Sequence, residues 1–315
     1  MVDAADIQKQ LLGEISLRGN SSTEALAKQM NLRPHVVRYH LHRLLKSGSL
    51  RRTVLIDQRN LGYICSTILF NVAPQHQATV VRFLQNRRCV SWLAHNNGIR
   101  EFEMSLVCES PADVIELTTE LANRTGATLL DQLVAYEEDI YDWGFRAFAS
   151  QPALVKPLVF KRHDHFEADE VDTRIIRAYR ELDDSDPNSV ARQVGIARST
   201  LSYRLERLRK AQVISDDLYL VMDSFNPTPK GCVFVQVGPK SKSLHERFLG
   251  FCQTKRHVSS LVVCTGNWDY RLIVYGRDMQ DLFEFEDSLK STFQSEILSY
   301  NMVLRRRFLK LSAGL

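Results

Sequence analysis

STEALAKQMNLRPHVVRYHLHRLLKSGSL, Ser22 to Leu50, is written a second time in this 315-residue chain as DPNSVARQVGIARSTLSYRLERLRKAQVI, Asp186 to Ile214. The two stretches align without a gap. Ala27/Ala191, Gln29/Gln193, Tyr39/Tyr203, Leu41/Leu205, Arg43/Arg207, Leu44/Leu208 and Lys46/Lys210 are identical, and Leu26/Val190, Met30/Val194, Leu32/Ile196, Val37/Leu201 and Leu50/Ile214 stay apolar. A repeat of this kind decides the architecture before any local reading does, because it makes the chain one module duplicated. Within the module, Ser22 or Asp186 opens a short helix, with Pro187 in the first turn of the copy. Leu26, Ala27 and Met30, or Val190, Ala191 and Val194, form its apolar stripe. Asn31 or Gly195, residue types that tolerate a left-handed turn, ends it. A second helix begins at Pro34 or Arg198 and turns Val37, Leu41 and Leu44, or Leu201, Leu205 and Leu208, inward. Two short helices joined by a three-residue turn make a helix-turn-helix. SLRRTVLID and VISDDLYLVMD, which follow, read as β-hairpin-like wings.

The outer face of the second helix carries the chemistry. Copy one offers Arg33, His35, Arg38, Tyr39, His42 and Arg43, with Arg51 and Arg52 in the wing. Copy two offers Arg198, Ser199, Thr200, Ser202, Tyr203 and Arg204. Arginine reaches base edges with two hydrogen bonds, while hydroxyls, tyrosine and further basic residues hold a helix on phosphates. From Asn31 to Arg52 there are six Arg or Lys, three His and no Asp or Glu, so double-stranded DNA is the expected partner. In copy two Glu206, Asp216 and Asp217 dilute the positive field. Both copies lack a Ser, Thr or Asp cap before this helix, having Arg33 and Ala197 there, which leaves Arg33 open to a phosphate.

Taken whole, the chain is only mildly basic, 41 Lys and Arg against 37 Asp and Glu, so nucleic-acid affinity must come from local patches. Its length allows about two to four domains, each with its own core. MVDAADIQKQ has no apolar core of a secretory peptide, and no apolar run approaches the roughly 18 residues that span a bilayer. The six cysteines form no CxxC pair and lie in apolar, strand-like segments, as reduced core residues do. These features predict a soluble cytoplasmic protein that does not engage membranes. No Gly-rich phosphate loop, nucleophile–base pair or metal spacing is present. On that ground no catalytic residue, metal or cofactor is expected, and the chain is not expected to be an enzyme.

An opening helix, Ile7 to Leu17, precedes copy one, and Val171 to Leu182 precedes copy two. After each helix-turn-helix the pattern repeats again. CSTILFNVAP and GCVFVQVGP are strands closed by proline; HQATVVRFLQNRRCV and LHERFLGFCQTKRHV are amphipathic helices. VSWLAHNNG and VSSLVVCTG are second strands; in the third, Phe102, Met104 and Leu106 alternate as Tyr270, Leu272 and Val274 do. A helix and a closing strand follow. The order β-α-β-β-α-β is that of a ferredoxin-like split sandwich, so the fold class is α+β: two winged helix-turn-helix units and two ferredoxin-like units in tandem. The expected boundaries are 1–60, 61–149, a linker at 150–168, 169–225 and 226–315. In the linker His163-Asp164-His165 reads as solvated, since a structural metal needs four converging ligands. Along the last strand, alternation would put Arg305 and Arg307 together on a solvated face, free to pair with acids such as Glu284 and Glu286.

This combination, with the turn CTGNWDYRLIVY, resembles the leucine-responsive/AsnC (Lrp/AsnC, feast/famine) family of transcriptional regulators, whose βαββαβ unit is the RAM domain. The resemblance covers nearly the whole chain, twice. That family carries a Gly, two residues, an acid and an aromatic after the second strand; Gly266, Asp269 and Tyr270 match it well, Gly98, Glu101 and Phe102 loosely. The resemblance implies a sequence-specific DNA-binding regulator whose sensor units respond to a small effector such as an amino acid. It places that ligand near Gly98, Glu101, Thr265, Gly266, Asn267 and Asp269. Typical members are half this length and dimerise through their sheets. The fusion therefore implies an intrachain pseudo-dimer packed sheet to sheet, suited to an asymmetric operator, with further homo-oligomers expected. The alternative is a tetrapyrrole enzyme resembling the sirohaem decarboxylases, of which His95, Asn96 and Arg100 are an echo.

Overall fold

The structure, a computed structural model, describes residues 4–16, 21–152, 155–163, 165–181, 186–221 and 228–311. Leu17, Asp164 and Leu182, which the sequence reading used, lie outside them.

The first module opens with α1 (Ala4–Ile15), α2 (Thr23–Gln29) and α3 (Pro34–Lys46), and its copy with α6 (Glu170–Glu181), α7 (Pro187–Val194) and α8 (Arg198–Lys210). The caps are those the sequence predicts: Ser22 accepts from the Ala25 N–H and Asp186 from the Ser189 N–H, both at 3.1 Å. Asn31 and Gly195 take left-handed conformations at φ 53° and 73°. Leu11, Leu12, Ile15, Leu26, Val37 and Leu44 build the core of the first unit, and Ile175, Val190, Leu201, Leu205 and Leu208 that of the second.

The wings differ from the expected hairpins. Each unit contributes one strand, β1 (Leu50–Thr53) and β7 (Leu218–Val221), and the two pair with each other, Leu50 against Val221 and Thr53 against Leu218. An antiparallel neighbour satisfies the same backbone groups whether it comes from the next segment or from the distant copy. The chain then crosses over. Val54 and Ile56, which follow β1, enter the core of the second unit, while Tyr219 and Val221 of β7 pack on the first.

The βαββαβ units are β2 (Ile64–Asn71), α4 (Gln77–Gln85), β3 (Val90–Asn97), β4 (Phe102–Cys108), α5 (Ala112–Thr125) and β5 (Leu130–Asp142), and after a short β6 (Leu158–Phe160) and the second helical unit, β8 (Lys230–Val237), α9 (Lys242–Thr254), β9 (Val258–Gly266), β10 (Tyr270–Tyr275), α10 (Met279–Thr292) and β11 (Ile297–Leu311). They do not stack face to face as expected. They join edge to edge, β3 with β11 and β9 with β5, and because β2 also pairs with β5 the eight strands close in the order β2-β4-β3-β11-β8-β10-β9-β5. A barrel leaves no exposed edge strand, which two open four-stranded sheets would each have. Alternation then sorts the side chains. Ile68, Phe70, Phe102, Met104 and Leu106 face α4 and α5, and Val233, Val235, Tyr270, Leu272 and Val274 face α9 and α10. Leu69, Ala135, Cys232, Phe234, Val262, Cys264 and Val303 turn into the barrel. Five of the six cysteines, all of them free, are buried. No helix among the described residues is long and apolar enough to cross a membrane.

Candidate nucleic-acid interface and barrel cavity

On α3 the inward positions Val37, His40 and Leu44 are buried, so helical spacing leaves Arg33, His35, Arg38, Tyr39, His42 and Arg43 exposed together. Tyr39 is 58 % exposed, with the Arg43 guanidinium 6.0 Å from its ring centre. Among the described residues the acid that reaches this face is Glu24, 3.5 Å from Arg38, with both side chains 65 % exposed. Such a pair contributes little in water and yields readily to a phosphate. Burial, and then Arg43, lowers the pKa of His40 on the inner side.

The corresponding face of α8 is differently balanced. Arg198, Ser199, Thr200, Ser202 and Tyr203 are exposed. Arg204 instead folds back onto Asp169 and Asp172, ahead of and within α6, and Arg207 meets the buried Asp172 at 3.2 Å. Arg209 pairs with Asp216 at 3.2 Å and lies 3.6 Å from Asp217, and Lys210 pairs with Glu206 at 2.9 Å. Most of the basic residues of the second helix are thus neutralised within the chain. Arg51 and Arg52 sit in the strand paired with β7, Arg52 3.4 Å from Asp217.

The two glycine turns lie at seams between the repeats. Gly266, at φ 141°, docks on β5 of the first sensor unit, where a Cβ would meet the Val134 carbonyl oxygen at 2.5 Å and the Ala135 Cα at 2.8 Å. The Asn267 side chain completes that contact, its Oδ1 accepting from the Val134 N–H at 2.7 Å. Asp269 is buried and committed: its carboxylate accepts from the Val237 N–H at 2.8 Å and is paired with Lys240. Thr265 is exposed. Gly98 lies against Val303 of β11, and Glu101 accepts from the Gln77 amide at 2.7 Å. Gly266→Ala should destabilise the chain by about 1–3 kcal/mol, read as a lowered urea midpoint, because backbone atoms cannot yield as side chains do.

Of the decarboxylase echo, His95 stacks on Phe102 at 5.2 Å, and burial, followed by Arg306, lowers its pKa. Asn96, the next residue, is buried and donates to Glu103 at 3.3 Å, while Arg100 donates to the Asp131 carbonyl at 2.8 Å. The three do not converge. His163 bonds Gln212 at 2.7 Å, and His165 lies against Gly62.

Sequence reading missed the barrel's charged interior. Glu103, Glu137, Arg271 and Arg305 are all buried, one from each of β4, β5, β10 and β11. Arg271 reaches Glu137 at 2.7 Å and Glu103 at 3.4 Å, Arg305 pairs with Glu103, and Thr67 donates to Glu137 at 2.7 Å. Burial alone would lower the Arg271 pKa, but the surrounding Glu137, Cys232 and Glu103 raise it. The solvated reading of Arg305 is corrected here. Arg305 shares the inward face of Val303, and a bulge between Arg305 and Arg307 then breaks the alternation, so Arg306 and Arg307 are both exposed. Glu286 pairs instead with Lys290. Above the cluster lies a cavity of about 210 Å³ bounded by Trp92, Lys230, Arg271, Arg305 and Phe308, with Leu220 and Val221 of β7 alongside.

No family model matches the chain. An uncharacterised HTH-type transcriptional regulator, y4tD of Sinorhizobium fredii, is 28 % identical over 120 residues, 38 % of this chain and 71 % of that protein. Among solved structures the siroheme decarboxylase NirDL superposes with a TM-score of 0.60 at 13 % identity, over 98 % of this chain and 93 % of its own. The transcriptional regulator NMB0573 of Neisseria meningitidis, solved with L-Met, aligns to 47 % of this chain and 96 % of its own, at 21 % identity and a TM-score of 0.39. The whole-length match corrects one expectation. Exclusion of enzymes rested on the lack of catalytic motifs, yet this fold, over nearly its full length, is that of an enzyme. The chain is a tandem of the helix-turn-helix and βαββαβ module that Lrp/AsnC regulators carry, closed on itself into one barrel.

Proposed function

We propose that the chain is a sequence-specific DNA-binding regulator of the Lrp/AsnC type, in which α3 supplies the main DNA contact and the barrel is the sensor for a small effector. The observation that carries this reading is the imbalance between the two second helices. Copy one presents three arginines and two histidines with one weakly held acid, whereas copy two spends Arg204, Arg207 and Arg209 on its own carboxylates. An unspent basic face lowers its free energy by releasing counterions from phosphates; a neutralised one gains little. The protein is then an asymmetric reader, one strong half and one weak half held at fixed spacing by the β1–β7 pair.

Anisotropy titrations of labelled upstream DNA against excess random DNA test this. Arg38→Ala is expected to weaken binding by about 1–3 kcal/mol if it reads a base, and to lower the salt slope by about 0.9 if it holds a phosphate. Arg204→Ala should leave both nearly unchanged. Equal losses in the two variants, or complete loss of parent binding to competitor, would sink the reading.

A second reading, tetrapyrrole chemistry, is favoured by the likeness to NirDL, which has also been solved with an iron-uroporphyrin III analogue. The cavity of about 210 Å³ is below the roughly 300–1,000 Å³ of pockets that hold drug-sized ligands, so a macrocycle requires the barrel mouth to open. An intense porphyrin absorption band that co-purifies with the protein, and persists through gel filtration, would select this reading over the first.

A further inference from the structure

The cavity at the barrel mouth has a polar end and an apolar body. At the polar end Arg271 and Arg305 are each more than nine-tenths buried, and the Nε of each finds no acceptor among the described residues. Arg271 is held by Glu103 through Nη1 and by Glu137 through Nη2, and Arg305 by Glu103 through Nη2. Trp92 lies beside both, its ring centre 5.4 Å from the Arg271 guanidinium carbon and 5.2 Å from that of Arg305. Lys230 adds a third positive charge at the same wall, its ammonium 4.4 Å from the Phe308 ring centre. The rest of the lining includes Ile273, Tyr275 and Phe308, Leu220 and Val221 of β7, and Asp142 at the end of β5.

Buried N–H groups of a charged side chain are normally satisfied, and two buried guanidiniums with an unsatisfied Nε lining one cavity offer an anionic acceptor charge-assisted hydrogen bonds. The planar guanidinium suits a carboxylate, and the aromatic and aliphatic part of the lining suits an apolar substituent. We propose that this cavity is a binding site for a small carboxylate with an apolar or aromatic body, its oxygens received by Arg271 and Arg305. The consequence for DNA rests on the regulator reading above. Leu220 and Val221 belong to β7, which is paired with β1 directly after α3, and Ser16 and Phe145 at the rim pack with the first helical unit. Occupancy would therefore be felt where the two helical units are joined.

Calorimetric titration of the full chain without DNA, using 3-phenylpropionate, L-phenylalanine and phenethylamine, tests the site by itself. Saturable binding of the two carboxylates and none of the amine is expected. Arg305→Gln should weaken carboxylate binding at least tenfold. Because that change also removes an ion-pair partner, Ser260→Leu is the second variant: it fills the cavity from β9, leaves both guanidiniums in place and should abolish binding. Failure of both carboxylates to saturate at millimolar concentration, or unchanged binding by Ser260→Leu, overturns the proposal. DNA affinity measured in parallel separates the two readings: carboxylate binding by a protein that ignores DNA keeps the site and removes the regulator.

Discussion

Glu103→Ala should be the most damaging single change inside the barrel, lowering stability by about 3–5 kcal/mol, the usual cost of stripping one partner from a buried ion pair. Glu103 is fully buried and is the acid on which Arg305 and one arm of Arg271 close. Asn96 also donates to it, and the Cys232 thiol lies 3.6 Å away. Its loss leaves a buried guanidinium charge without its counter-ion in the middle of eight strands. Those strands come from both repeats, so the damage should appear as loss of the whole barrel and not of one half. Equilibrium urea unfolding, followed by tryptophan fluorescence and by far-UV dichroism, should give one transition at a lowered midpoint. The double variant Glu103→Leu/Arg305→Met distinguishes charge from packing. Replacing a buried pair by apolar residues of similar volume is often neutral or stabilising, so it should recover most of the loss. A Glu103→Ala penalty below about 1 kcal/mol, the scale of an exposed pair, would mean that the cluster is hydrated and that the barrel is not closed around it.

How much of this was legible follows from the range of each interaction. Caps, turns and inward stripes are local, and Ser22, Asp186, Asn31 and Gly195 behave as their types dictate. Tyr270, Leu272 and Val274 announce their face because alternation with period two needs only neighbours. Edge pairing carries no such mark. Nothing in SLRRT says that its partner is LYLV in the other copy, and nothing in β9 says that it will lie on β5. The charged interior was hidden for the same reason. Glu103 and Arg271 sit on the face away from the helices, which is solvent for an open sheet and becomes interior only on closure. Arg305 was misplaced for the same reason, since it shares the inward face of Val303, and the bulge that follows it turns Arg307 away. Arg204 read as a DNA contact because Asp169 and Asp172 are distant in sequence and become neighbours only when α8 packs on α6.

Arg146→Ala should cost about as much as the loss of Glu103, by a different route. Arg146 follows β5 and is completely buried, yet its donors all point into the second repeat. Nε reaches the Val258 carbonyl at 2.8 Å, Nη1 that of Gln253 at 3.2 Å, and Nη2 those of Lys255 at 2.9 Å and Cys252. Cys252 and Gln253 lie in the last turn of α9, where the helix dipole favours a cation. Burial pulls the guanidinium pKa down to about 10, so it remains charged at neutral pH. Trp143 covers it at 4.4 Å and holds the Gln253 side chain at 2.8 Å. Each buried carbonyl left unsatisfied costs about 1–3 kcal/mol, part of which inward movement and water recover, so a net loss of about 3–5 kcal/mol is expected. Arg146→Lys keeps the charge but lacks the fork that reaches four oxygens, and should recover less than half. The same turn carries Phe145 and Phe148 into the core of the first helical unit, so this residue ties that unit to the second sensor unit through the first. Hydrogen exchange should therefore rise at the Trp143 amide, which bonds the Ser259 carbonyl at 2.7 Å, and along α1. Full stability in the lysine variant, with α1 protection unchanged, would show that charge alone holds this junction.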